Sequence, residues 1–244
     1  MKRLSTIVMM LVMVALSMQA QKTYVLLAGV SNYGVDSINL ANTTDDVKKM
    51  KKIFIKQGIT PATLTSRNAN HDNIVNKLNA MIRLAKPEDR IFFFFSGHGT
   101  PGGFVPSDRS LFNYQELVNI LSKARAGNIY CFIDACMSGS VKSISSNNFG
   151  VGNKTPNICF MTASDATEIS RESPALVGHG FFTKALLKGL SGMSDKNEDK
   201  KVTLGELYDY VKKDVLYRTR NSEYVQHPLL LCPESMKAQV IRKW

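Results

Sequence analysis

The chain has 244 residues, 44% of them hydrophobic and 21% charged, which suits one globular domain of generous size and excludes a disordered chain. Its 31 Lys and Arg against 20 Asp and Glu leave a formal charge of +11. No zinc finger, RNP or comparable module accompanies that charge, so nucleic-acid recognition is not expected.

Residues 1–20, MKRLSTIVMMLVMVALSMQA, place Lys2 and Arg3 before an apolar stretch at 4–16, followed by small residues. That layout is a cleaved secretory signal, with Ala15-x-Ser17 and Ala20 as alternative cleavage points. An uncleaved N-terminal anchor is the competing reading, because the apolar length sits near the boundary. The expectation is an exported protein whose mature part, 21–244, is one domain without a membrane-spanning segment.

The mature chain opens with TYVLLAGV (23–30), a buried strand, and a turn SNYGVDS. A helix from about Thr44 presents Val47, Met50, Ile53 and Phe54 on one face. Lys48, Lys49, Lys51, Lys52 and Lys56 spread over its solvated side. A short strand at 63–65 precedes a helix with Ile74, Leu78, Met81, Ile82 and Ala85 inward, stopped by Pro87. RIFFFFS (90–96) is the next strand, Gly102-Gly103 a turn, and YQELVNILSKA (114–124) a helix. NIYCFIDA (128–135) and NICFMTAS (157–164) are further strands, FFTKALLKGL and TLGELYDYVKKDVL two helices, and PLLLC (228–232) a last strand.

Continuous apolar strands alternating with helices imply an open α/β domain: a mostly parallel six-stranded sheet with helices on both faces. Such sheets place active sites beyond the carboxyl ends of their strands. Residues 137–156, rich in Ser, Asn and Gly, form a loop long enough to be functional or mobile. Cys131, Cys159 and Cys232 lie in apolar runs, fit no zinc spacing, and are expected reduced and buried. Cys136 has small, polar neighbours instead.

Two consecutive strands end in SGHG and DACMSG, so His98 and Cys136 emerge at the same edge if the strands are neighbours. A thiolate is the nucleophile of acyl transfer, and a nearby imidazole takes its proton. Gly97 and Gly99 allow a substrate backbone to approach, and the N–H groups of Gly99 and Cys136 are placed to bind an oxyanion. Alone, either residue reads as a packed ring or a buried thiol; together, in small-residue turns, they read as a site.

FFFFSGHG and CFIDACMSGS resemble the His and Cys motifs of caspase-like cysteine peptidases, particularly metacaspases and their bacterial relatives. VLLAGVSNYG resembles that family's first strand and loop, and INLANTTDDVKKM its following stretch, with Ala41 where Gly is usual and Asp45 where Asn is. MTASDATEISRES with HGFFTKALLKGL, and QHPLLL, extend the resemblance over essentially all of 22–233. It implies a caspase-like fold and a cysteine endopeptidase working through a Cys136–His98 dyad. Asp134 stands two positions before Cys136, as in relatives that cleave after Arg or Lys. By that resemblance Asp134 and Asp165 line the pocket for the substrate side chain, with Asp46 and Ser96 in support. Carboxylates in a partly desolvated pocket do select a cation. For Asp46, near a helix start, a capping role competes.

Family members are often processed after the cysteine, and Lys142 and Lys154 offer sites for self-cleavage in that loop. No cofactor is required by this chemistry. Calcium is a further reading: Asp195, Asn197, Asp199, Thr203 and Glu206 fall at positions 1, 3, 5, 9 and 12 of an EF-hand-like loop. Lys200 takes the place of the turn glycine, and Thr203-x-x-Glu206 also reads as a capping box. The expected partners are peptides or proteins with a basic P1 residue. A silent caspase-like interaction module and a peptide ligase using the same dyad are the alternatives.

Overall fold

The computed structural model describes residues 21–143, 156–164, 179–222 and 225–244. Six strands form one sheet: β1 (Thr23–Gly29), β2 (Ala62–Thr65), β3 (Arg90–Ser96), β7 (Asn128–Asp134), β8 (Asn157–Thr162) and β10 (Leu229–Leu231). Their order is β10-β8-β7-β3-β1-β2, all neighbours parallel except the β8–β10 pair. The expected mostly parallel six-stranded α/β sheet is therefore present.

The phenylalanine run of β3 shows why the central strands are apolar throughout. Ile91, Phe93 and Phe95 point to one face, where α2 (His71–Leu84) contributes Ile74 and Leu78 and α3 (Tyr114–Leu121) contributes Leu117 and Leu121. Phe92 and Phe94 point to the other, under α1 (Thr43–Ile55), α4 (His179–Lys188) and α5 (Leu204–Thr219). Period-two alternation thus fills two cores from one strand. Burying each such ring contributes about 1.5–3 kcal/mol, so β3 is a firmly anchored strand end on which a site could be built.

Helix starts follow local chemistry. Asn70 accepts from the Asn73 N–H at the head of α2, and Asn113 from the Gln115 N–H at the head of α3. Thr203 and Glu206 form a reciprocal capping box at α5.

Two features escaped the pattern reading. Short strands β4 (Gly99–Thr100), β5 (Gly103–Phe104) and β6 (Phe112–Asn113) make a small antiparallel sheet beyond β3. The ribbon of β9 (Lys201–Thr203) and β11 (Val240–Lys243), with the short helix α6 (Glu234–Lys237) before β11, closes the C-terminal end. Cys131 and Cys159 are free and buried as expected. Cys232 is also free but only half-buried, because β10 is an edge strand. No described helix is long and apolar enough to cross a membrane; residues 1–20 lie outside the described residues.

Candidate active site

The site is assembled at the carboxyl ends of β1, β3 and β7. Register pairs Gly29 with Ser96 and Ser96 with Asp134. His98 and Cys136 each follow two residues beyond those paired ends, both half-buried. A Cβ at Gly99 would collide with the Cys136 carbonyl. Only glycine lets these two turns approach so closely, and that contact joins the His98 turn to the Cys136 turn.

The loop 31–40 grips His98 from the other side. The Tyr33 ring lies 4.7 Å from the imidazole, and the Tyr33 hydroxyl accepts the His98 N–H at 2.7 Å. The same hydroxyl donates to the Val105 carbonyl at 3.2 Å. Burial, against the pull of the His98 amide, pushes the Tyr33 phenol well above its ordinary range, so it stays protonated and keeps that donation. Negative charge on Cys136 adds to the rise, so Tyr33 touches His98 and lies within electrostatic reach of Cys136. A Cβ at Gly97 would strike the Tyr33 hydroxyl at 2.8 Å.

His98 Nε2 lies 2.7 Å from the Ile38 carbonyl oxygen. A carbonyl only accepts, so Nε2 carries a hydrogen and the neutral ring keeps its lone pair on Nδ1. The loop that presents this carbonyl is itself tied: Asn39 accepts the Tyr33 N–H at 2.8 Å, and Leu40 N–H donates to Ser31.

Beneath the pair sits a buried polar cluster. Asp134, the last residue of β7, accepts at one carboxylate oxygen from the Thr183 hydroxyl at 2.6 Å and the Thr183 N–H at 3.2 Å. Ser96 donates to Asp46 at 3.1 Å. Asp46, Ser96 and Asp134 are all buried, at 5%, 0% and 1% exposure. Asp46 therefore faces the sheet instead of capping: Asn42 occupies the N-cap, and Asp46 lies one turn inside α1. Asp165 lies outside the described residues.

After Cys136 the chain turns at Met137, in the left-handed region at φ +54°. It continues through a 3-10 turn at Ser140–Ser143, where Ser140 accepts the Gly102 N–H at 2.9 Å. Lys142 is exposed there; Lys154 lies outside the described residues.

The side chains of the calcium pattern hydrogen-bond within their own loop. Asp195 accepts the Asp199 and Lys200 N–H groups, Asn197 the Asp199 N–H, and Asp199 the Lys201 N–H. Glu206 takes the Thr203 N–H and hydroxyl within the capping box. Lys200 does adopt the left-handed conformation of the missing glycine, at φ +63°. Among the described residues no three His, Cys, Asp or Glu side chains gather to hold a metal ion.

Sequence reasoning named His98, Cys136, Gly99, Ser96, Asp46 and Asp134, and these meet at one sheet edge. It missed Tyr33, Ile38 and Thr183. Tyr33 stood in the quoted SNYG turn, where an aromatic flanked by Asn and Gly was the one available signal.

The family model described as Caspase domain (Peptidase_C14) matches residues 22–238. Legumain from Canavalia ensiformis is 29% identical over 137 residues, 54% of this chain and 28% of legumain. A vacuolar-processing enzyme from Glycine max is 36% identical over 90 residues, 35% of this chain and 17% of that protein. The matched part thus spans less than a third of those relatives. A crystal structure of a Geobacter sulfurreducens protein superposes with a TM-score of 0.60 at 17% identity, covering 89% of this chain and 97% of that one. That likeness shows the fold. With the caspase model running through both motif strands and over residues 22–238, the chain belongs to the caspase-domain family of cysteine peptidases.

Proposed function

We propose that the protein is an exported cysteine endopeptidase that cleaves after Arg or Lys, with Cys136 as nucleophile and His98 as its base. The observation that carries this reading is the imidazole fixed at Nε2 by the Ile38 carbonyl, at the same sheet edge as Cys136. Nδ1 takes the thiol proton; the thiolate attacks the scissile carbonyl and later the imidazolium returns the proton to the leaving amine. Water then hydrolyses the acyl-thioester. The N–H groups of Gly99 and Cys136 bind the oxyanion.

Basic specificity is supported by the carboxylates of Asp134 and Asp46 beside Ser96, fixed by hydrogen bonds below the nucleophile. Asp165 completes the pocket in this reading. Export rests on the signal-like residues 1–20, and self-processing at Lys142 or Lys154 on the exposed position of Lys142.

The test is a positional P1 peptide library with wild-type protein and Cys136→Ala, alongside intact-mass analysis of both preparations. Turnover only after Arg or Lys, lost in Cys136→Ala, is the expected result. Preference for Asp or Asn at P1 would overturn the pocket, and undiminished turnover in Cys136→Ala would overturn the nucleophile. Fragments ending at Lys142 or Lys154 in the wild type alone would report self-processing.

A further inference from the structure

Two thiols outside this site face each other across the only antiparallel pair of the six-stranded sheet. Register in β8–β10 sets Leu229 opposite Thr162, Leu230 opposite Met161 and Leu231 opposite Phe160. Carried one residue further, it sets Cys232 opposite Cys159. Facing residues in an antiparallel pair have Cα atoms about 4.5–5.5 Å apart, inside the roughly 4.4–6.8 Å that a disulfide spans.

Side-chain direction agrees. Cys159 packs with Met161 in the core beneath α1, α4 and α5, and Leu230 and Cys232 pack against that same core. The two thiols lie close enough to shift each other's protonation. Cys131, on neighbouring β7, points into the opposite core and so offers no competing partner. The pair is also chemically unequal. Burial, then the neighbouring Cys232, pushes the Cys159 thiol well up, whereas the neighbouring Cys159 pulls the half-exposed Cys232 thiol down. Reactivity follows thiolate character and access, so Cys232 is the thiol that reacts first.

We propose that Cys159 and Cys232 form a closable dithiol, at which exchange with a low-molecular-weight disulfide staples the edge strand β10 covalently to β8. The Cys232 thiolate attacks one sulfur of the disulfide RSSR; its S–S bond breaks, RS⁻ leaves, and a Cys232–SR mixed disulfide forms. Cys159 then loses its proton to the departing thiolate and attacks the Cys232 sulfur, expelling the second RS⁻, which is protonated from water by the proton Cys232 first released. In sum the dithiol and RSSR give a protein disulfide and two RSH: the protein loses two electrons, and the small disulfide gains them.

The staple has a mechanical point. β10 pairs over three residues, all of them only partly buried, and the segment the bond would close contains both α4 and α5. Constraining so long a segment raises thermal stability appreciably, by roughly 5–15 °C in Tm.

The test uses the full chain carrying Cys136→Ala, which removes the other accessible thiol and makes the outcome independent of the peptidase reading. The folded, pre-reduced protein is incubated with oxidised glutathione, then examined by intact mass, peptide mapping and thermal melting. The expected product is lighter by two hydrogens, yields a Cys159–Cys232 cross-linked peptide, melts higher, and reverts with dithiothreitol. Adding Cys159→Ala should leave a stable glutathione adduct on Cys232 and no rise in Tm; circular dichroism checks that this variant is folded. A glutathione adduct that persists on Cys232 when Cys159 is present would overturn the proposal. So would a cross-link through Cys131, or a folded protein inert to the disulfide.

Discussion

Replacing Tyr33 with Phe tests how the imidazole is held. The change removes one oxygen that accepts the His98 N–H at 2.7 Å and donates to the Val105 carbonyl at 3.2 Å. The ring and its 4.7 Å contact with the imidazole stay, so no large cavity opens. Tyr33 is 2% exposed, and water cannot readily replace the lost oxygen. An unpartnered buried group costs about 1–3 kcal/mol, and Val105 is only partly buried, so the total should be about 1–3 kcal/mol. For a chain of this size that lowers Tm by roughly 2–10 °C. The kinetic loss should exceed what the melt implies at assay temperature, because the freed His98 backbone lets the ring drift from its productive pose. A fall in kcat of about 10–100-fold with KM nearly unchanged is expected. Steady-state hydrolysis of a basic-P1 fluorogenic peptide, with a thermal melt in parallel, measures both. A lowered Tm with wild-type kcat would reduce Tyr33 to packing, and wild-type values of both would refute the reasoning outright.

Thr183→Val removes the hydroxyl that Asp134 accepts at 2.6 Å while keeping the shape. A hydrogen bond to a charged group contributes about 1.5–3 kcal/mol, so a drop in Tm and a rise in KM for basic-P1 peptides are expected from melts and kinetics. His71, at the start of α2, pairs with Glu116 of α3 at 3.0 Å. Burial alone would lower its pKa, but the Glu116 hydrogen bond and charge prevail and raise it. The sign follows: His71 contributes stability fully below its unfolded pKa near 6.5, and loses it as pH rises through the higher folded value. Denaturant melts across that window should flatten in Glu116→Gln; the effect is small because both side chains are partly exposed. Finally, thiolate attack by a Cys–His pair uses no metal ion, so EDTA should leave turnover unchanged. Calcium-dependent activity lost in Asp195→Asn would show that the loop binds metal.

The sheet was legible because parallel strands buried on both faces must be apolar at every position, as Phe92–Phe95 are. His98 and Cys136 were legible because each stands just past such a strand in a run of small residues. What the sequence hid shares a physical cause. Thr183 occupies a helix whose neighbours Phe182, Ala185 and Leu186 are core residues, so its hydroxyl reads as incidental until Asp134 is seen opposite. Strands of two residues, such as β4 and β5, are shorter than any alternation that could reveal them. Cys159 and Cys232 were each read as buried thiols, and only the reversed direction of β10 sets them face to face.

The Ile38 contact has a consequence for genetics. Its acceptor is a main-chain oxygen, which every amino acid carries, so exchanging the side chain at 38 leaves the acceptor in place. An alanine scan of this loop would pass over the position that fixes the tautomer. It would register Asn39 instead, whose side chain accepts the Tyr33 amide and donates to Asp36, and would thereby credit the wrong residue. Removing the true contact calls for moving the chain path itself, by insertion or deletion between 34 and 38, or for altering the carbonyl chemically.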